Sequence, residues 1–325
     1  MDKFLNTLIN IAPSLISFTA TFIILLIMPF GKKLLGHDRG RKFVEGSEVN
    51  IGKPTGVGFY FAIVIAAVCI GFRYMDMAVV LSVSLSLLAM ISGFLDDRAK
   101  TPWNEYFKGA LDFGIALIGA WIATTYMSND IVIGLTETVI SIPPVLYFIL
   151  ATILIIVSIN ATNATDGVDG LSGTLTIITF FAFNLLSVIN STISESSLAV
   201  CEVVIGALFA YLMFNFNPSK MLMGDAGSRS LGLLIALYAM YVKMPIAYLA
   251  FGLPFMIDGG LSILKITIGR LTKKKIIILK NTLTPIHDHL KKQKGYSIKQ
   301  TWLAIVAFAL IVDVIYIGMA ILLHK

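Results

Sequence analysis

Repeated apolar runs of about 20 residues dominate this chain, each long enough to cross the ~30 Å hydrocarbon core of a bilayer as a helix. With 57% hydrophobic and 14% charged residues, it is not an ordinary water-soluble domain. The expected fold class is all-α: a polytopic membrane protein of about ten transmembrane helices forming a single integral membrane domain over residues 1–325. The spans read as roughly 11–31, 57–73, 76–95, 107–127, 143–160, 172–190, 197–214, 229–243, 245–268 and 301–323. Pro245 and Pro254 are placed to break the ninth into two pieces. Its later part, through Lys265 and Arg270, is expected to lie along the membrane surface as an amphipathic helix.

Basic residues set the orientation. Lys32, Lys33, Arg39, Arg41, Lys42 and Lys53 follow the first span, Arg98 and Lys100 follow the third, and a lysine-rich stretch from Lys273 to Lys299 precedes the last. The alternate loops hold little beyond Arg73 and Lys243, so both termini are expected outside and the basic loops in the cytoplasm. Met1-Asp2-Lys3 lacks a strongly basic leader region, and the first apolar run is expected to be retained as a helix. The net charge of +6 is spread over loops between spans, which fits anionic lipid and no nucleic acid. Cys69 and Cys201 fall inside apolar runs without metal-ligand spacing, so packing is expected of them and not a disulfide or zinc site.

Four motifs then fall on one predicted membrane face. Gly93-Phe94-Leu95-Asp96-Asp97-Arg98 ends the third span with two adjacent carboxylates, suited to a divalent metal or a phosphate-handling base, or else to a solvated helix end with a local ion pair. The stretch from Asn160 to Leu171 holds Asn160, Asn163, Asp166, Gly167, Asp169 and Gly170, and reads as a nucleotide or sugar clamp or as an ordinary capped turn. Asn215-Phe216-Asn217-Pro218 and Met223-Gly224-Asp225-Ala226-Gly227-Ser228 offer a metal-binding acid beside amides that could face an anion, with helix capping as the alternative. Thr284-Pro285-Ile286-His287-Asp288-His289-Leu290 lies among lysines, which favour polyphosphate over zinc, a basic membrane-surface loop being the plainer reading. Together, carboxylates preferring Mg²⁺, basic groups preferring phosphate and a position at the bilayer edge point to phosphoryl transfer with a lipid partner.

Gly52-Lys53-Pro54-Thr55, Phe94 to Asp97, Asn160 to Leu171, Met223 to Ser228 and Pro285 to His289, in this order, resemble the polyprenyl-phosphate N-acetylhexosamine-1-phosphate transferases, ten-helix enzymes of bacterial envelopes. The resemblance covers nearly the whole chain. Thr165 before Asp166-Gly167 favours the branch that uses UDP-N-acetylmuramoyl-pentapeptide and makes lipid I for peptidoglycan. It implies a multi-pass protein of the bacterial plasma membrane that transfers the phospho-sugar to undecaprenyl phosphate and releases UMP, with Mg²⁺ as cofactor. One-step attack is expected, a route through a phosphorylated aspartate being the alternative. The resemblance is also compatible with a homodimer.

Residue by residue, the resemblance implies Asp225 as magnesium ligand, with Asp97 assisting, and Asp96 and Asp97 as the catalytic acid pair, Asp96 acting on the lipid phosphate. His287 is expected close to the diphosphate and Lys108 in the part of the lysine that follows the acids. Lys53, Thr55, Asn160, Asn163, Asp166, Gly167, Asp169, Asn215, Leu222, Asp288 and His289 are expected at the substrate. Three positions depart from the pattern: Asp288 replaces the middle histidine of a three-histidine run, Leu222 a uracil-stacking phenylalanine, and Asn50 a lysine for which Lys53 could stand in. Two other readings compete. One is a transferase using UDP-N-acetylglucosamine for teichoic acid or another surface polymer, separated by donor preference. The other is a cation-coupled transporter, opposed by acids gathered at one edge and by the lack of an inverted repeat.

Overall fold

A computed structural model describes residues 2–27, 35–38, 50–71, 76–99, 101 and 103–324. Lys32, Lys33, Arg39, Arg41, Lys42, Arg73 and Lys100, used above for orientation, and Met1 lie outside the described residues. The fold is a helical bundle, as hydrocarbon demands of a chain that must satisfy its own backbone hydrogen bonds. Its principal helices are α1 (Asp2–Ile27), α2 (Gly58–Gly71), α3 (Met77–Arg98), α4 (Glu105–Tyr126), α5 (Pro144–Thr165), α6 (Leu171–Ile189), α7 (Glu195–Asn215) and α8 (Gly224–Tyr241). Then come the short α9 (Tyr248–Phe251) and α10 (Leu253–Phe255), a π-type turn at Met256–Gly260, α11 (Leu261–Leu271), α12 (Ile286–Lys292) and α13 (Ile298–Leu323).

Among the described residues, six helices (α3 to α7 and α13) are long and apolar enough to cross a membrane. The stretch from Pro245 to Leu271 makes a seventh if its two pieces, bent by 57° at the break, are one span. This bend falls at Gly252, just before Pro254, where the sequence placed it. Exposed Val145, Ile149 and Ile153 on α5, and Leu303, Ile311, Val314 and Leu322 on α13, give the bundle an apolar outer surface suited to lipid.

Among the described residues, two short strand pairs add to the helices: Gly36–His37 with Pro54–Thr55, and a hairpin of Asp130–Ile133 with Thr138–Ser141. The hairpin occupies the loop end that the sequence left without motifs, and Val132 N–H donates to the Lys243 carbonyl there at 2.7 Å.

Helix α8 forms the centre, packed by α2, α3, α4, α5 and α6. Every residue from Ala226 to Met240 is buried. Without a water-driven force between helices in lipid, association depends on close contact and on interhelical hydrogen bonds. Ser158 Oγ donates to the Gly232 carbonyl at 2.6 Å, joining α5 to α8, and Ser17 Oγ to the Val203 carbonyl at 2.7 Å, joining α1 to α7. Gly93 on α3 lies so close to the backbone of Asp225 and Ala226 that a Cβ there would overlap both. Gly58 on α2 meets Gly227 in the same way.

Several of the polar motif residues sit within helix ends, while Asp166, Gly167 and Asp169 lie in the loop between α5 and α6. Asp96 and Asp97 belong to the last turn of α3, Asn160 and Asn163 to the last turns of α5, and Asp225 to the first turn of α8, which begins at Gly224 and not near residue 229. A helix satisfies its backbone internally whatever its side chains are, so it continues past the point where the sequence turns polar.

Close packing at Gly93 has a direct consequence. Gly93→Ala forces α3 away from α8, a strain of about 1–3 kcal/mol. A scan in mild detergent is expected to show unfolding several degrees below the parent; an unchanged midpoint would mean that the two backbones do not touch there.

Candidate active site

Three helix ends meet around one ammonium group. Lys108, in the first turn of α4, forms an ion pair with Asp96 of α3, and its Nζ lies 3.2 Å from Asp225 Oδ2 of α8. From α5, Asn163 Nδ2 donates to Asp225 Oδ1 at 3.0 Å and to Ser228 Oγ at 2.9 Å. Asp96 also accepts the Trp103 N–H at 2.8 Å. Asp225 is thus held on both carboxylate oxygens while its side chain keeps 22% exposure, enough to meet a ligand.

Asp97 points the other way. Its two oxygens accept the N–H groups of Asp225 and Ala226, both at 3.1 Å, giving partners to amides that the start of α8 leaves unpaired within the helix. Gly56 and Gly224 leave room for that carboxylate.

Below this layer, Asp112 of α4 forms a buried ion pair with Arg229 of α8, and Arg229 Nη2 reaches the Lys108 carbonyl at 3.4 Å. Asn160 Nδ2 lies 3.5 Å from Asp112 Oδ2 and donates to the Ile156 carbonyl at 3.0 Å. Removing one partner of such a buried pair costs about 3–5 kcal/mol, so the pair is part of how α4 and α8 hold together.

His287, at the start of α12, is buried and held by Asp258 of the π-type turn: the His287 N–H donates to Asp258 Oδ1 at 2.7 Å, and Nδ1 lies 2.9 Å from Oδ2. With Nδ1 turned to Asp258, Nε2 faces Gly167, where a Cβ would collide with it. Lys291 Nζ donates to the Gly167 carbonyl at 3.2 Å. Burial pushes the Asp288 carboxyl up, but His287, Lys291 and Lys292 outweigh it and hold the group below the usual carboxylate range. The position expected to carry a histidine therefore carries an anion, with Lys291 Nζ 3.3 Å and Lys292 Nζ 3.1 Å away. His289 Nδ1 lies 3.4 Å from the Leu283 N–H, on the outer part of this segment.

A third group fixes the loop after α5. Asp169 accepts from Asn217 Nδ2, Ser219 N–H and Ser219 Oγ at 2.9, 3.0 and 2.8 Å. Lys53 Nζ donates to the same Ser219 hydroxyl at 2.9 Å and to Asn50 Oδ1 at 2.7 Å, so Lys53 and Asn50 act on one spot. Asn215 accepts the Gly170 N–H and donates to the Met221 carbonyl, both at 2.8 Å. Leu222 pairs by its backbone with Pro54 and Val57, next to half-buried Thr55 in the short strand. Lys53, Asp169 and Asn215 are thus engaged in joining loops, while Asp96, Lys108, Asn163 and Asp225 form one contiguous polar group.

Sequence reading missed Asp112, Arg229 and Asp258. Each is a charge inside an apolar run, which is itself a signal of a functional or tightly paired group. An open groove of about 660 Å³ lies elsewhere, beside α11, lined by Lys265, Arg270, Lys273 and Lys274 with Ile266, Ile276 and Ile277. It holds none of the acids, so it is not where the carboxylate chemistry resides.

Among the described residues no cluster of three or more His, Cys, Asp or Glu side chains forms a ready-made metal cage. Mg²⁺ seldom needs one: it commonly takes one or two carboxylates, with substrate phosphates and water completing its shell. Among the described residues around Asp225, Lys108 is paired with Asp96 and Arg229 with Asp112, which leaves the charge of Asp225 itself for such an ion. Asp225 is the residue that would hold it, whereas both oxygens of Asp97, expected to assist, are turned to the first amides of α8.

Comparison with known proteins agrees with this arrangement. Residues 77–243, which carry the acid pair, the α5 asparagines and Asp225, match the glycosyl transferase family 4. The phospho-N-acetylmuramoyl-pentapeptide-transferase of Treponema pallidum (strain Nichols) is 31% identical over 316 residues, covering 92% of this chain and 86% of that protein. The protein of that name from Wolbachia sp. subsp. Drosophila simulans (strain wRi) is 32% identical over 228 residues, 67% of this chain and 69% of the relative. That of Clostridium perfringens (strain 13 / Type A) is 36% identical over 113 residues, 34% of each. The chain belongs to glycosyl transferase family 4, within its phospho-N-acetylmuramoyl-pentapeptide-transferase group.

Proposed function

We propose that this protein transfers phospho-N-acetylmuramoyl-pentapeptide from its UDP-linked donor to undecaprenyl phosphate at the cytoplasmic face of a bacterial plasma membrane, giving lipid I and UMP. The observation that carries the reading is the Lys108 ammonium shared between Asp96 and Asp225, beside Asn163, in a chain of this family.

In one step, an oxygen of the lipid phosphate attacks the sugar-proximal phosphorus of the donor. The new P–O bond forms as the bond to the bridging oxygen breaks, and its electron pair leaves with UMP. Asp96, fixed by Lys108 and the Trp103 amide, orients the attacking phosphate or takes its proton. Mg²⁺ at Asp225, when bound, would offset the charge of the diphosphate. Asp97, with both oxygens on the first amides of α8, is assigned to orienting Asp225. Lys108 and Lys291 supply positive charge, and His287, oriented by Asp258, presents Nε2 at Gly167, where the nucleotide clamp was expected.

A specific observation keeps a second donor in view: the ionised Asp288 stands where a histidine was expected, so UDP-N-acetylglucosamine belongs in the test. Purified protein with undecaprenyl phosphate and Mg²⁺ is expected to release UMP with the pentapeptide donor at least about tenfold faster than with UDP-N-acetylglucosamine. Release with the second donor alone would move the chain to surface-polymer synthesis, and flux of a cation without UMP release would make it a transporter.

Within the same assay, Asp96→Asn, Asp225→Ala and His287→Ala are each expected to lower turnover by about 10²-fold or more in protein that is still folded. Asp258→Asn is expected to lower it less, because the amide still accepts one His287 N–H. Near-parent turnover of Asp225→Ala would contradict its metal role.

A further inference from the structure

The polar groups of α4, α5 and α8 form two layers one helical turn apart. Lys108, Asp225 and Asn163 make the upper one, and Asp112, Arg229 and Asn160 the lower. Residues 108 and 112, and 225 and 229, are four apart, and 160 and 163 three apart, so each helix places one residue in each layer on the same face. The signs are inverted between layers: α4 gives a cation above and an acid below, α8 an acid above and a cation below. The lower pair is almost wholly buried, with 3% of the Arg229 and 6% of the Asp112 side chain exposed. Arg229 Nε and Nη2 both go to Asp112, whereas Nη1 has no partner among the described residues.

We propose that Asp112 and Arg229 are positioning residues that set the affinity of Asp225 for a divalent cation by holding the charge directly beneath it at zero. The inference rests on the metal reading given above. Both lower groups lie close enough to Asp225 to interact with its charge. Without Asp112, the Arg229 guanidinium joins Lys108 as a second cation next to Asp225 and competes with a bound metal ion. Without Arg229, the Asp112 carboxylate adds an anion and favours the metal ion. A pair that served packing alone would weaken the fold in both variants and leave no opposite signs.

The test is thermal unfolding of the purified, substrate-free full chain in detergent against Mg²⁺ concentration, reading the concentration that gives half the rise in unfolding temperature. Asp112→Asn is expected to raise that midpoint and Arg229→Gln to lower it, each by about threefold or more. The double variant Asp112→Asn/Arg229→Gln and the charge-keeping Arg229→Lys are expected within about twofold of the parent. If Asp112→Asn fails to fold, Arg229→Gln against Arg229→Lys gives the sign alone. A parent that responds to Mg²⁺, with Arg229→Gln unchanged or shifted the same way as Asp112→Asn, overturns the proposal and leaves the metal reading standing. A parent whose unfolding does not respond to Mg²⁺ overturns both.

Discussion

The site depends on one constraint: like-charged acids cannot be gathered at the edge of hydrocarbon without a cation between them. Asp96 and Asp225 come from helices far apart in sequence, and Lys108, from a third helix, is what they share. Asn163 occupies the remaining side of Asp225, and Asp97 turns away to the first amides of α8. Each group is fixed by a partner on another helix, so the arrangement exists only when the bundle is closed.

Closure in turn depends on backbone contact. Gly93 against Asp225 and Ala226, and Gly58 against Gly227, bring α2 and α3 onto the start of α8 more closely than any side chain would allow. The same start carries the amides that Asp97 accepts, so packing and electrostatics act at one place. On the other side, Asp258 holds His287 against Gly167, joining the broken ninth segment to the end of α5. Family membership and the carboxylate cluster thus fall on the same stretch of chain, residues 77–243, while His287 and its lysines come from outside it.

Much of this was legible in the sequence. Apolar runs announced the helices, Pro245 and Pro254 the bend, and the acids, asparagines and His287 the candidate site, because charge next to hydrocarbon is costly enough to mark itself. Helix limits were less legible: α8 starts at Gly224 because a helix satisfies its backbone regardless of side-chain polarity, and its polar first turn hid that start from a hydropathy reading. Asp112, Arg229 and Asp258 were passed over because their partners lie 117 and 29 residues away, and sequence spacing carries no sign of such pairings. Asp169 and Asn215, read as substrate groups, bond to loop backbone, a pairing the sequence could not show because a residue that binds a loop and one that binds a ligand are chemically the same.

The central claim is that a single shared ammonium organises the acids for catalysis. Replacing it by an uncharged side chain of similar length, Lys108→Met, tests that most directly, with UMP release and thermal unfolding measured on the same preparation. A fall in turnover of about 10²-fold or more, with the protein still folded, is the result the account requires. Turnover within about twofold of the parent would mean that Asp96 and Asp225 are held in place by something other than Lys108.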